Sequence, residues 1–107
     1  MASVLDSHLG EIPALCRRYG VARLDLFGSA TTDAFDPQRS DLDFLVEFDA
    51  TPSGLFDRYF GLQESLEALY DRSVDLVTVG SLQNPYFIES INKTRRPVYV
   101  AQDTEAA

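Results

Sequence analysis

From Asp41 to Phe48 the chain alternates: Leu42, Phe44, Val46 and Phe48 fall on one side, Asp41, Asp43, Leu45 and Glu47 on the other. A repeat of two marks a strand with a buried face. Arg23 to Phe27 and Val74 to Val79 read as two more strands, and Val98 to Val100 as a short last one. The period changes after Thr51, Pro52 and Ser53, where a helix can begin. Leu55, Tyr59, Leu62, Leu66 and Leu69 recur every three or four positions, with Phe56, Phe60 and Tyr70 alongside. At that spacing the aromatic residues are expected in the core, any exposed portion serving as a protein interface. Leu5, Leu9, Ile12, Cys16 and Tyr19 predict a first helix, kinked or restarted near Ile12 by Pro13 and stopped at Gly20. Asn84 is placed to cap a short helix with Pro85 at its first position and Phe87, Ile88 and Ile91 facing inward.

Strands interleaved with helices in 107 residues, without repeats or linkers, predict a single α/β domain over residues 1–101. Residues 102–107, polar and small, are expected to be a disordered tail.

Charge narrows the partners. Seventeen acidic against nine basic residues give a net charge of −8, which disfavours nucleic acid as the main partner and a template-directed polymerase in particular. It suits a basic protein. Lys93, Arg95 and Arg96 form the one compact basic cluster, expected on a solvated turn. Cys16 is the only cysteine, so no internal disulfide forms, and no zinc spacing is present. No stretch approaches 18 apolar residues, and a cytoplasmic protein without a membrane role is expected. His8, the only histidine, is far in sequence from the acidic residues, so histidine base chemistry is not expected.

The candidate chemistry lies in the acids. Asp41 and Asp43, at i and i+2 of a strand, project from one face about 7 Å apart and repel each other. A cation relieves that repulsion, and Mg²⁺ is commonly held by one or two carboxylates together with substrate phosphates. The strand ending at Phe27 runs into Gly28-Ser29, a turn whose glycine lets a phosphate approach the backbone and whose serine adds a hydroxyl. Asp75 is a single acid inside an apolar strand, where a charge needs a partner. If that strand pairs beside Asp41 to Phe48, three aspartates converge and can hold two metals, or one metal and a base. Each piece alone also reads as an ordinary turn or a solvent-facing strand.

Taken together, Gly28-Ser29, an eleven-residue spacer, Asp41-Leu42-Asp43 and the later Asp75 resemble the minimal nucleotidyltransferases of the DNA polymerase β superfamily. The resemblance covers nearly the whole chain. It implies a small mixed sheet with helices packed mainly on one face, and transfer of a nucleotide from ATP or another NTP to a hydroxyl. Carried over by position, Gly28 and Ser29 hold the triphosphate, while Asp41, Asp43 and Asp75 bind metal, two Mg²⁺ ions being expected, and form the catalytic set. Minimal members commonly act as antitoxins that add AMP to a tyrosine of a HEPN-family toxin. Such a toxin is therefore the implied partner, with self-association left open. This chain departs from the family where many relatives carry Ala-Arg-Gly: it has Ala30-Thr31-Thr32-Asp33, which keeps a catalytically weak or inactive binding antitoxin as the alternative. Arg39, at the end of the spacer, could compensate if the loop folds back. Transfer to a small molecule fits less well, because such enzymes usually add an acceptor domain.

Overall fold

The computed structural model describes residues 10–28, 41–49 and 54–101. Elements follow in the order α1 (Ile12–Arg18), β1 (Val21–Phe27), β2 (Leu42–Phe48), α2 (Leu55–Tyr70), β3 (Val74–Thr78), α3 (Pro85–Thr94) and β4 (Arg96–Val100), with one 3₁₀ turn, Val79–Ser81, after β3. The strands form one mixed sheet in the order β3-β2-β1-β4. β1 runs antiparallel to β2 and to β4, whereas β2 and β3 are parallel and joined through α2, the long crossover that a parallel pair requires.

Strand alternation divides the side chains between two faces. Leu24, Leu26, Leu42, Phe44, Val46, Val74 and Leu76 pack beneath Ile12 and Cys16 of α1 and Leu62, Leu66 and Tyr70 of α2. The opposite face carries a smaller cluster, Phe27 and Leu45 under Ile91 of α3. Two helices thus cover one face, and α3 covers part of the other. Burial pushes the Cys16 thiol up to about 12, which makes it inert packing at neutral pH.

Pro13 does not kink α1. It stands in the first turn, where a missing N–H costs nothing, so the helix starts there. Gly20 follows the helix in the left-handed region, φ +68°, and ends it as expected. α2 begins after Gly54, the expected start at residues 51–53 lying outside the described residues. Asn84 caps α3, its Oδ1 accepting from the Tyr86 N–H at 2.9 Å.

In α2, Leu62, Leu66 and Tyr70, four apart, occupy the buried line. Phe56 and Phe60 sit on a neighbouring line and are 74% and 43% exposed, which corrects the expectation that the whole aromatic stripe belongs to the core. Gly61 lies beneath the Tyr19 ring, which a bond between Tyr19 Oη and Ser65 Oγ holds at 3.1 Å. A Cβ at Gly61 would stand 2.5 Å from Tyr19 Cε1. Gly61→Ala is therefore expected to destabilise by about 1 kcal/mol, overpacking outweighing the better helix propensity of alanine. Urea unfolding checks this, and a more stable variant would mean that the ring yields freely.

Candidate active site

Parallel pairing of β2 with β3 decides where the acids meet. The register sets Leu42 beside Val74, Asp43 beside Asp75 and Phe44 beside Leu76. The single acid of β3 therefore falls next to the second acid of the Asp-x-Asp pair. The Asp43 and Asp75 carboxyls thus lie on neighbouring strands, and Asp41, just ahead of β2 and exposed, adds its charge. Burial, then the Asp75 charge, then Asp41, push the Asp43 carboxyl up from 3.8 to about 6. A carboxyl held up in this way by burial and by neighbouring negative charge is one that a cation would stabilise in its ionised form.

Gly28 reaches the same place through β1, because the antiparallel register puts Phe27 opposite Asp43. Its φ of +79° is left-handed, and a Cβ there would lie 2.5 Å from Asp43 Oδ2. Only glycine permits both the turn and this approach. The Gly28 N–H, expected to face a phosphate, donates here to Thr94 Oγ1 at 2.9 Å, so the end of α3 holds the turn. Ser29, the spacer residues Ala30 to Asp33 and Arg39 lie outside the described residues, as do His8 and the tail 102–107. Gly28→Ala is expected to displace the Asp43 carboxylate and reduce nucleotide transfer at least tenfold, with a loss of stability of about 1 kcal/mol from the left-handed backbone. Parallel transfer assays and thermal melts separate the two effects.

Beside the acids opens a cleft of about 300 Å³, lined by Phe27, Asp43, Tyr59, Gln63, Asp75 and Phe87 among others. Phe87 meets Phe27 edge to face at 6.2 Å. On the far wall the Tyr59 hydroxyl donates to the Leu76 carbonyl, and Gln63 Nε2 donates to the Val74 carbonyl at 2.9 Å. Both residues of α2 are thus pinned to β3. An apolar wall facing two carboxyls suits a flat ring that presents a hydroxyl or a phosphate to the acids.

Sequence reasoning missed Asp25. It is fully buried, on the face that α3 covers, and its Oδ2 accepts from Arg95 Nη2 at 2.6 Å and Nε at 2.8 Å while Oδ1 accepts from Arg23 Nε at 3.1 Å. Arg95 therefore does not line a solvated turn; it carries the end of α3 to the middle strand of the sheet. In the sequence, an aspartate between Leu24 and Leu26 looks like a solvent-facing strand position. The missing signal was that α3 covers that side.

Oxygen donors of Asp43 and Asp75 suit a hard divalent cation such as Mg²⁺, and the raised Asp43 carboxyl marks a place where negative charges crowd. Among the described residues, no group of three or more His, Cys, Asp or Glu is gathered closely enough to hold a metal by itself. Asp41 is thus not drawn into a closed cage, as befits an ion that takes part of its shell from phosphates.

Comparison with known proteins shows the family. The family model described as nucleotidyltransferase domain matches residues 12–98. The protein adenylyltransferase MntA of Thermococcus cleftensis is 39% identical over 100 residues, covering 92% of this chain and 90% of the relative. A solved structure of a candidate minimal nucleotidyltransferase superposes with a TM-score of 0.72 at 28% identity, covering 90% of this chain and 96% of that one. A chain from the complex of tri-AMPylated Shewanella oneidensis HEPN toxin with its MNT antitoxin shares the fold, at a TM-score of 0.61 and 19% identity over 94% of this chain and 76% of that one. The glycine turn against the Asp-x-Asp strand, the acid delivered by the parallel neighbour and a family match across nearly all the described residues lead to one conclusion: the chain belongs to the nucleotidyltransferase-domain family, among its minimal members.

Proposed function

We propose that this nucleotidyltransferase transfers AMP from ATP to a hydroxyl of a HEPN-fold toxin, a tyrosine hydroxyl in the first instance, and serves as that toxin's antitoxin. The observation that carries the reading is the placement of Asp43 beside Asp75, with Gly28 against the Asp43 carboxylate. Support for the substrate comes from the relative that is a protein adenylyltransferase and from the AMPylated toxin in the solved complex.

Asp41, Asp43 and Asp75 would hold divalent metal, which when bound offsets the charge of the triphosphate and of the oxygens that exchange at phosphorus. The chain's own residues do the rest. Gly28 leaves the backbone room for a phosphate oxygen, and Ser29 adds a hydroxyl donor. Asp75, exposed where Asp43 is partly buried, is the carboxylate that can take the acceptor hydroxyl's proton. The nucleophilic oxygen then forms its bond to the α-phosphorus as the bond to the β-phosphate oxygen breaks, and pyrophosphate leaves. On the toxin, the added phosphate charge would repel RNA.

The test incubates the chain with Mg²⁺, ATP and a candidate HEPN-fold toxin, next to an Asp41→Ala/Asp43→Ala variant, and weighs the intact proteins. Addition of AMP units that depends on the native acids supports the reading. Tight binding without transfer under any NTP or metal would establish instead the binding antitoxin that the Thr32-Asp33 departure leaves open.

A further inference from the structure

Beyond the acid cleft lies an apolar groove that the proposed chemistry does not use. The first turns of α2 expose Leu55 at 54% and Phe56 at 74%. These side chains line a groove of about 430 Å³ with Phe48, Tyr59, Phe60 and Thr78, nearly all of its wall hydrocarbon. Phe56 and Phe60 meet tilted at 60° with centroids 4.6 Å apart, and Phe60 meets Tyr59 edge to face at 5.1 Å, so the three rings form one continuous aromatic surface. Rigid, exposed aromatic rings are the residues that anchor protein interfaces.

Two observations select the occupant. Tyr59 lines this groove and the acid cleft alike, and its hydroxyl is fixed to β3, so a partner seated in the groove borders the acids. The flank is acidic: an adjoining depression of about 470 Å³ shares Phe48, Leu55 and Thr78 and adds Glu47 and Asp49, against one arginine, Arg58, which binds Asp49 at 3.0 Å. A second copy would bring the same charges to the same place, on a chain that already carries −8.

We infer that the Leu55-Phe56-Phe60 groove is the docking surface for the protein that accepts the nucleotide, a partner presenting an apolar segment flanked by lysine or arginine. The inference rests on the proposed transfer to a toxin, and it adds where that toxin is held. Docking next to the cleft raises the local concentration of the acceptor hydroxyl, so a domain too small for a separate substrate module can still choose one protein.

The test uses the full chain and a candidate HEPN-fold toxin, with affinity read by titration calorimetry and modification by intact mass. Leu55→Ser/Phe56→Ser, two substitutions at exposed positions, is expected to weaken binding by about tenfold to a hundredfold, with an unchanged melting temperature. Glu47→Lys is expected to weaken it severalfold at low salt and less at high salt. If the native chain binds the partner and the double variant binds it within a factor of about two, the groove is not the dock and the inference falls while the transfer reading stands. If the native chain neither binds nor modifies the partner, the transfer reading itself falls. Self-association of the native chain in sedimentation, abolished by the double variant, would assign the groove to a second copy and overturn the inference.

Discussion

Asp43→Asn is expected to abolish transfer, by about a thousandfold or more, while making the metal-free protein more heat-stable at neutral pH. The first effect follows from the proposed role, since stabilisation of a phosphoryl-transfer transition state by metal is worth several kcal/mol and an amide is a poor ligand. The second follows from the carboxyl pair. Asp43 binds its proton more tightly folded, at about 6, than unfolded, near 3.8. Between these values the native state holds a proton that the unfolded chain has released, so the metal-free fold loses stability as pH rises through this window, and the loss is complete above about 6. Asparagine supplies permanently the donor that the proton supplies only in acid. The variant should therefore match the native chain near pH 4 and melt higher at pH 7.5, both in EDTA. Asp43 is only partly buried, so solvent screening keeps the gain small, about 1 kcal/mol. Equal melting temperatures at pH 7.5 would show that the carboxyls do not repel and that the pair is not poised for a cation. Saturating Mg²⁺ should raise the melting temperature of the native chain and leave that of the variant nearly unmoved.

Arg95→Ala is expected to be the most damaging substitution to stability outside the apolar core, at about 3 kcal/mol, the lower end of the range for breaking a buried ion pair. The asymmetry between the partners sets the size. The Asp25 side chain is 1% exposed and the Arg95 side chain 30%, so after truncation the cation is gone and the anion cannot reach water. Arg23 remains at 3.1 Å, but it is 44% exposed and holds a single oxygen. Arg23→Ala should consequently cost far less, about 1 kcal/mol. Replacing both members, Arg95→Ala with Asp25→Val, should recover part of the loss, because no charge is then stranded. Urea titrations of the three variants beside the native chain decide it: an Arg23→Ala loss as large as that of Arg95→Ala would mean that Asp25 is held chiefly from within its own strand. Arg95 directly follows Thr94, whose hydroxyl holds the Gly28 N–H, so transfer should also decline in Arg95→Ala at temperatures where the fold survives.

The parts of the fold governed by neighbouring residues were readable in the chain. Alternation gave β2 nearly to its ends, and the Asn84-Pro85 pair marked the start of α3 to the residue. β1 and β4 each begin two residues earlier than expected from the sequence, because the sheet ladder takes in Val21 and Ala22 ahead of Arg23, and Arg96 and Pro97 ahead of Val98. Long-range facts were harder. The meeting of Asp43 with Asp75 was inferable only as a condition, since register is set by pairing and not by composition. The bond between Arg95 and Asp25 spans 70 positions, and nothing local announces it. The exposure of Phe56 escaped notice because helical spacing marks a face without telling what covers it.

Asp75 also acts at the border of the sheet. β3 and β4 are the outermost strands, the positions at which a sheet can pair with another molecule, although on β3 the Val74 and Leu76 carbonyls are already bonded by Gln63 and Tyr59. β3 carries an exposed aspartate mid-strand, and β4 carries Pro97, which has no N–H to offer. A second chain laid alongside β3 would have to bury a carboxylate, and one laid alongside β4 would miss a rung of the ladder. The residue proposed to take a proton in catalysis thereby also sets a negative charge on the border of the sheet. Its replacement by valine would remove a base and, in the same stroke, lower the electrostatic cost of pairing along that border.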